Sequence, residues 1–332
     1  RAELVAFGRQ SLADPAMPKK ALEERLEDMT PCIACLQGCV ANMYAGNPVC
    51  CLTNPFLGHE AEPLEKAEEP KKVMVIGGGV AGLSAAFIAK ERGHEVTLYE
   101  AGDVLGGNMR LAAYPPGKGD ITNMIRNYIH RCQKDGVKIV MNCEVTPELI
   151  KEEKPDSVII ATGSKTLILP IEGIDNPAII HGSDLLDGKR PAGKKVLVVG
   201  GGMVGCETAA FLGEQEHDVT VIEFRDTVGA DVIHEHRVYL MKDFEDYGIK
   251  EITGAKVCKF YEDGVEYETA DGVRHETRGY DSVILSMGFR NYNPLEEKIK
   301  DLVPETHVIG DAIRARRALD ATKEAYEVAS RI

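Results

Sequence analysis

The sequence has no surplus of positive charge: 39 Lys and Arg stand against 53 Asp and Glu, for a net charge of −14. Phosphate-backbone binding needs a basic patch and none is visible, so nucleic acid is not an expected partner. No apolar run approaches the ~18 residues of a membrane span, and no membrane partner is expected. The opening stretch, RAELVAFGRQ, lacks a basic-then-apolar leader. The cytoplasm is therefore the expected location, and structural disulfides are rare there. Trp is absent altogether. The nine His show no metal-ligand spacing; His234 and His236, two apart, read as a surface loop. The first residue is not Met and the opening reads like the interior of something longer, so a fragment is expected.

At 332 residues the chain has room for two domains or three. Its 44% hydrophobic and 28% charged residues are ordinary globular values. Glycine is abundant, and two places hold the informative ones. KVMVIGGGVAGLSAAFIAKERGHEVTLYE, from Lys72, reads as strand, glycine turn, helix, strand. The first strand is a continuous apolar run, as in a parallel strand buried on both faces. About 120 positions later KKVLVVGGGMVGCETAAFLGEQEHDVTVIE repeats the unit. Gly77, Gly79 and Gly82 form G-x-G-x-x-G, as do Gly200, Gly202 and Gly205. The first glycine permits the tight turn, the second admits a pyrophosphate, and the third lets helix pack on strand. The helix N-terminus adds unpaired N–H groups and positive dipole. Glu100 and Glu223 close the second strands, where an acid takes adenosine ribose hydroxyls. A carboxylate at Glu223 favours NADH over NADPH, although Arg225, two residues on, could meet a 2′-phosphate. Two Asp-Gly turns between alternating strands then predict a β-meander. The expected fold is α/β with two Rossmann-like domains.

Five of the nine cysteines fall within PCIACLQGCVANMYAGNPVCC, Pro31 to Cys51. Four thiolates suit a 4Fe–4S cluster or structural zinc. Zinc ribbons pair two C-x2-C knuckles, and only one is present. A redox dithiol is the remaining reading. Cys132, Cys143, Cys206 and Cys258 read as buried singles.

The two fingerprints, the meander and a closing Gly310-Asp311 resemble the two-dinucleotide-binding flavoprotein family. That resemblance implies FAD at the first fingerprint, a nicotinamide nucleotide at the second, and an NAD domain inserted into the FAD domain. Ala161-Thr162-Gly163 would be the strand leading out of the FAD domain, with Gly163 at the cofactor, and Ser286–Gly288 the return. Asp311 would bind the FAD ribityl chain. The family's dithiol lies inside the NAD domain, where this sequence has only Cys206 and Cys258, far apart; disulfide reduction thus loses its key residues.

A closer match runs through LVAFGRQSLADPAMPKKALE, PCIACLQGCV, CCLTNPFLGHE and YPPGK. These resemble the bacterial 2,4-dienoyl-CoA reductase group, flavin/iron–sulfur members of the old yellow enzyme family related to trimethylamine dehydrogenase and enoate reductases. The resemblance implies 4Fe–4S ligation by Cys32, Cys35, Cys39 and Cys51, the last chosen over Cys50 by the CLTNP that follows. Residues 1–30 would be the last strand and helix of an FMN-binding TIM barrel, with Gly8 and Arg9 at the FMN phosphate. Residues 31–62 would hold the cluster, 63–190 the first part of the FAD domain, 191–285 the NAD(H) domain, and 286–332 the rest of the FAD domain. The barrel's catalytic Tyr and His have no counterpart. The implied function is electron transfer: hydride from NADH to FAD, then single electrons through the cluster to FMN in a missing N-terminal barrel that reduces an activated C=C bond. A donor module like the small subunit of glutamate synthase, and an ADP-only nucleotide site as in trimethylamine dehydrogenase, are the alternatives. A homo-oligomer is compatible with the sequence.

Overall fold

A computed structural model describes residues 3–332. The chain divides into two compact units. One holds Asp120–Ser164 and Asn291–Ile332 together with the chain up to Ala113; the other holds Tyr114–Gly119 and Lys165–Arg290.

In the first unit five parallel strands lie in the order Glu305–Val308, Ser157–Ile160, Lys72–Ile76, Glu95–Tyr99, Lys138–Val140. The helix Val80–Glu91 follows the central strand and buries ten of its residues, Val80 to Ala89. Small side chains (Ala81, Ser84, Ala85, Ala86) let it lie close to the sheet, and the terminal helix Ala318–Ala329 shares the same apolar core.

The second unit repeats this plan. Its parallel strands lie in the order Ile180–His181, Ser282–Leu285, Lys195–Val199, Asp218–Ile222, Lys250–Ile252. The helix Met203–Glu214 follows the central strand. The expected meander is present as the antiparallel strands Lys256–Tyr261, Gly264–Glu268 and Arg274–Thr277. In both sheets the fingerprint turn sits at the carboxyl end of the central strand, where strand order reverses and ligands bind in such folds.

The division differs from the expected boundaries. The second unit begins at Lys165, not after residue 190, because Ile180–His181 pairs with Ser282–Leu285. It ends at Arg290, and it also takes in Tyr114–Gly119.

The amino-terminal segment also departs from expectation. No strand forms between residues 3 and 8, and Leu4, Val5 and Phe7 are exposed. A strand needs a neighbour for its N–H and C=O groups, and none of the described residues pairs with this stretch. In place of the one helix expected within residues 1–30 stand Arg9–Ala13, Met17–Leu22 and a 3-10 turn, Leu26–Asp28. Pro15 holds Asp14 in extended backbone, and Glu24 is left-handed with φ +56°.

Polar contacts anchor this segment to the first unit. Asp28 accepts from Arg25 Nη1 (2.9 Å) and Lys134 Nζ (2.6 Å) and bonds His130 Nε2 (2.9 Å). The hydrogen bond from Lys134, then that from His130, hold the Asp28 carboxyl well below the usual carboxylate range. A lowered folded-state value stabilises above the unfolded carboxyl's titration, near ~4, and that stabilisation is lost as pH falls toward the folded value. Asp28→Asn is expected to cost about 1–2 kcal/mol at pH 7. Denaturant unfolding should show the difference narrowing below pH ~4.

Candidate functional site

At the first fingerprint Gly77 turns with φ +109°, and a Cβ there would stand 2.3 Å from the Ala161 carbonyl oxygen. A Cβ on Gly82 would lie 1.9 Å from the Gly77 oxygen. Gly79 faces open space, the access a pyrophosphate needs. Glu100 is held at both oxygens: Oε2 accepts from Gly78 N and Oε1 from Gly102 N, each at 2.7 Å. Gly310, with φ +63°, lies against the start of the same helix; a Cβ on it would be 3.1 Å from Ala81 Cβ. Asp311 Oδ2 accepts from Ser164 Oγ (2.8 Å) and Oδ1 from Arg316 N (3.0 Å). Gly163 adjoins Ser164 and accepts from Tyr292 N (2.9 Å). Gly77, Gly79, Gly82, Glu100, Gly163, Gly310 and Asp311 thus all belong to the carboxyl end of one sheet.

Sequence reading missed two contributors. Gly106 and Gly107 return the chain to the fingerprint, where Gly106 N donates to Gly78 O at 2.8 Å, and Asn108 reaches Ser164 Oγ at 3.4 Å. The signal was the Gly-Gly pair beyond the second strand. Ser164, which orients Asp311, carried no local signal.

The second fingerprint repeats the glycine turn, the close helix packing and the pinned glutamate of the first. Gly200 turns with φ +104° against the Ser286 carbonyl, and a Cβ on Gly205 would lie 1.8 Å from the Gly200 oxygen. Glu223 Oε2 accepts from Gly201 N (2.5 Å) and Oε1 from Arg225 N (3.0 Å). Gly202 opens toward Asp231, whose Oδ1 accepts from Met203 N at 2.9 Å. The donor that a nucleotide phosphate would use here thus already holds an anion. Glu207, on the same helix and nearly buried, is paired with Lys118 of Tyr114–Gly119. The pairing offsets the cost of burying a carboxylate.

Cys32, Cys35, Cys39, Cys50 and Cys51 line one small cavity together with Arg9, Ile33 and Leu52. Loop backbone in the left-handed region at Ala34 and Leu36 bends the segment around it. The cavity is built on the first unit: Ile33 and Leu52 belong to the core with Val75, Phe87 and Tyr128, and Tyr128 Oη donates to Leu52 O at 3.0 Å. Burial pushes the Cys35 thiol up to about 11, and the neighbouring Cys51, Cys39 and Cys32 add to it. Thiols serve as ligands only once deprotonated, and a bound cation is what stabilises several thiolates together. Among the described residues no group of three or more His, Cys, Asp or Glu is placed to hold one metal ion. The five thiols line one small cavity, and four thiolates are the donor set that a 4Fe–4S cluster takes. All nine cysteines are free; Cys132 and Cys206 are buried as expected, whereas Cys143 and Cys258 are only partly so. Gly8 and Arg9, expected at an FMN phosphate, join neither nucleotide fold. Gly8 meets open space and Arg9 lines the cysteine cavity.

Residues 71–309 match the family described as pyridine nucleotide-disulphide oxidoreductase. The chain belongs to that family. It is an oxidoreductase, and the match with its two nucleotide folds indicates FAD and NAD(H). Beyond the family's common part, the likeness is to 2,4-dienoyl-CoA reductase-like proteins along the whole chain. Cinnamate reductase of Clostridium sporogenes is 34% identical over 336 residues, covering 100% of this chain and 50% of that protein. NADH oxidase of Thermoanaerobacter brockii is 35% identical over 341 residues, covering 100% and 52%. A solved complex of 2-naphthoyl-CoA reductase with 2-naphthoyl-CoA superposes with TM-score 0.93 at 34% identity, covering 98% of this chain and 50% of that one. The chain thus spans about half the length of the relatives it matches. No described helix is long and apolar enough to cross a membrane.

Proposed function

We propose that this chain is the electron-transfer portion of an NADH-dependent flavin/iron–sulfur oxidoreductase. When bound, FAD and a 4Fe–4S cluster supply the conversion of a hydride from NADH into single electrons, delivered to an FMN-bearing barrel outside these residues that reduces an activated C=C bond of the enoyl-CoA or enoate kind. The supporting observation is that the four ligand cysteines line one cavity in the core of the first nucleotide unit. A cluster held there would be fixed to a flavin fold.

The protein's part is placement. Glu100 and Glu223 are pinned by two backbone N–H groups each, so their carboxylates are oriented before a ribose arrives. Glu223 accepts from a free 2′-hydroxyl and repels a 2′-phosphate, which favours NADH. Gly79 lets phosphate approach its helix end, and at Gly202 a phosphate would displace Asp231 from Met203 N. Asp311, turned by Ser164 and Arg316, presents a carboxylate to the ribityl hydroxyls. Cys32, Cys35, Cys39 and Cys51 hold the cluster, and Arg9 at the cavity offsets its negative charge. This half-reaction asks no side chain to move a proton.

Anaerobic purification with iron and sulfide analysis tests the reading, with visible spectra before and after NADH. The expected result is a flavin bleached by NADH at lower concentration than by NADPH, with iron and sulfide present. A colourless protein carrying zinc would overturn it, as would a bound flavin that NADH leaves oxidised.

A further inference from the structure

The Thr53 side chain is 1% exposed, and its Oγ1 lies 3.3 Å from Cys51 Sγ. The pair sits at the cysteine cavity, which both residues line. As a ligand to iron, Cys51 is a thiolate with no proton to give, so the Thr53 hydroxyl must be the donor. The neighbouring thiol is held differently: Cys50 Sγ accepts from the Asn42 amide at 3.3 Å, which also donates to Pro48 O. Of the two adjacent cysteines, Cys51 thus has a buried hydroxyl at its sulfur and Cys50 a side-chain amide.

We propose that Thr53 is a positioning residue that raises the reduction potential of the cluster through its hydrogen bond to Cys51. The inference rests on the cluster assignment above. Reduction adds one electron, breaks no bond, and places more negative charge on the sulfurs. A donated hydrogen bond stabilises the reduced form more than the oxidised one. With Thr53 1% exposed, water has little access to replace the hydroxyl.

The test compares wild type, Thr53→Val, which keeps the shape without the hydroxyl, and Thr53→Ser, which keeps the hydroxyl. Each chain is loaded anaerobically with iron and sulfide, and its cluster is titrated with dithionite while the reduced signal is followed by electron paramagnetic resonance. Thr53→Val should disfavour reduction by about two- to tenfold, tenfold being 59 mV for one electron. Thr53→Ser should restore the wild-type potential. Equal potentials in Thr53→Val and wild type overturn the proposal, and so does a shift in Thr53→Ser as large as in Thr53→Val. A Thr53→Val chain that holds no iron, beside a Thr53→Ser chain with a wild-type cluster, still assigns the effect to the hydroxyl. A wild-type chain that takes up no iron and sulfide overturns the cluster assignment, and this inference with it.

Discussion

Cys39→Ala is expected to empty the cysteine cavity of iron and leave the flavin in place. Cys39 lines the cavity at the head of the short helix Val40–Tyr44 and is absent from the apolar core. Cys35, by contrast, packs against that core, so its removal would mix ligand loss with a packing defect. Three thiolates remain in the variant, one short of the set that holds a 4Fe–4S cluster. Iron should fall from about four atoms per chain to less than about one. The nucleotide contacts at Gly77, Glu100 and Asp311 use other elements, so NADH should still bleach the flavin. What disappears is reduction of the cluster by NADH, read as loss of its paramagnetic signal. Full iron content in Cys39→Ala would remove Cys39 from the ligand set. It would also promote Cys50, the fifth thiol at the cavity, from bystander to ligand.

The second large effect belongs to the third glycine of each fingerprint. In Gly205→Val the first added carbon would stand 1.8 Å from the Gly200 oxygen, a backbone atom that cannot swing aside. The helix Met203–Glu214 must then leave the strand, and its phosphate-facing end moves with it. NADH affinity is expected to fall by more than about a hundredfold, while FAD remains bound and reducible by dithionite. Gly82→Val makes the same collision at 1.9 Å in the first unit. There the displaced helix carries ten buried residues and shares its core with the terminal helix and the cysteine segment. FAD should be lost and the first unit destabilised by about 3 kcal/mol or more. Flavin fluorescence after gel filtration and thermal unfolding separate the two variants. An unchanged KM for NADH in Gly205→Val would mean that the second fold does not hold the nucleotide.

These glycines were legible because each does a local job: strand, turn and helix follow within a dozen residues, and the repeat states it twice. The meander was legible for the same reason, since its Asp-Gly turns name their own geometry. The unit boundary was not. Ile180–His181 contributes two residues to a sheet whose other strands lie downstream, and two residues carry no periodicity. Nor was the destination of Tyr114–Gly119, six residues that leave one unit for the other. The amino-terminal stretch, expected as the last strand of a barrel, stays irregular, because a strand needs a neighbour and none of the described residues pairs with it. At the cysteine cavity the four ligand positions came from the resemblance and its spacing. Thr53 escaped notice, because a buried hydroxyl two residues from a ligand looks like any other polar residue until its contact is measured.

The route of the cysteine segment into the first unit has a thermodynamic consequence. Leu52 and Ile33 share one core with the fingerprint helix, and the Tyr128 hydroxyl fastens the backbone between them. A cluster held at the cavity and a flavin held at the fingerprint would therefore be co-ligands of a single cooperative body. Each would stabilise the folded form that the other requires. Oxygen damage at the cavity would register as a lower unfolding midpoint of the first unit, with its flavin still bound.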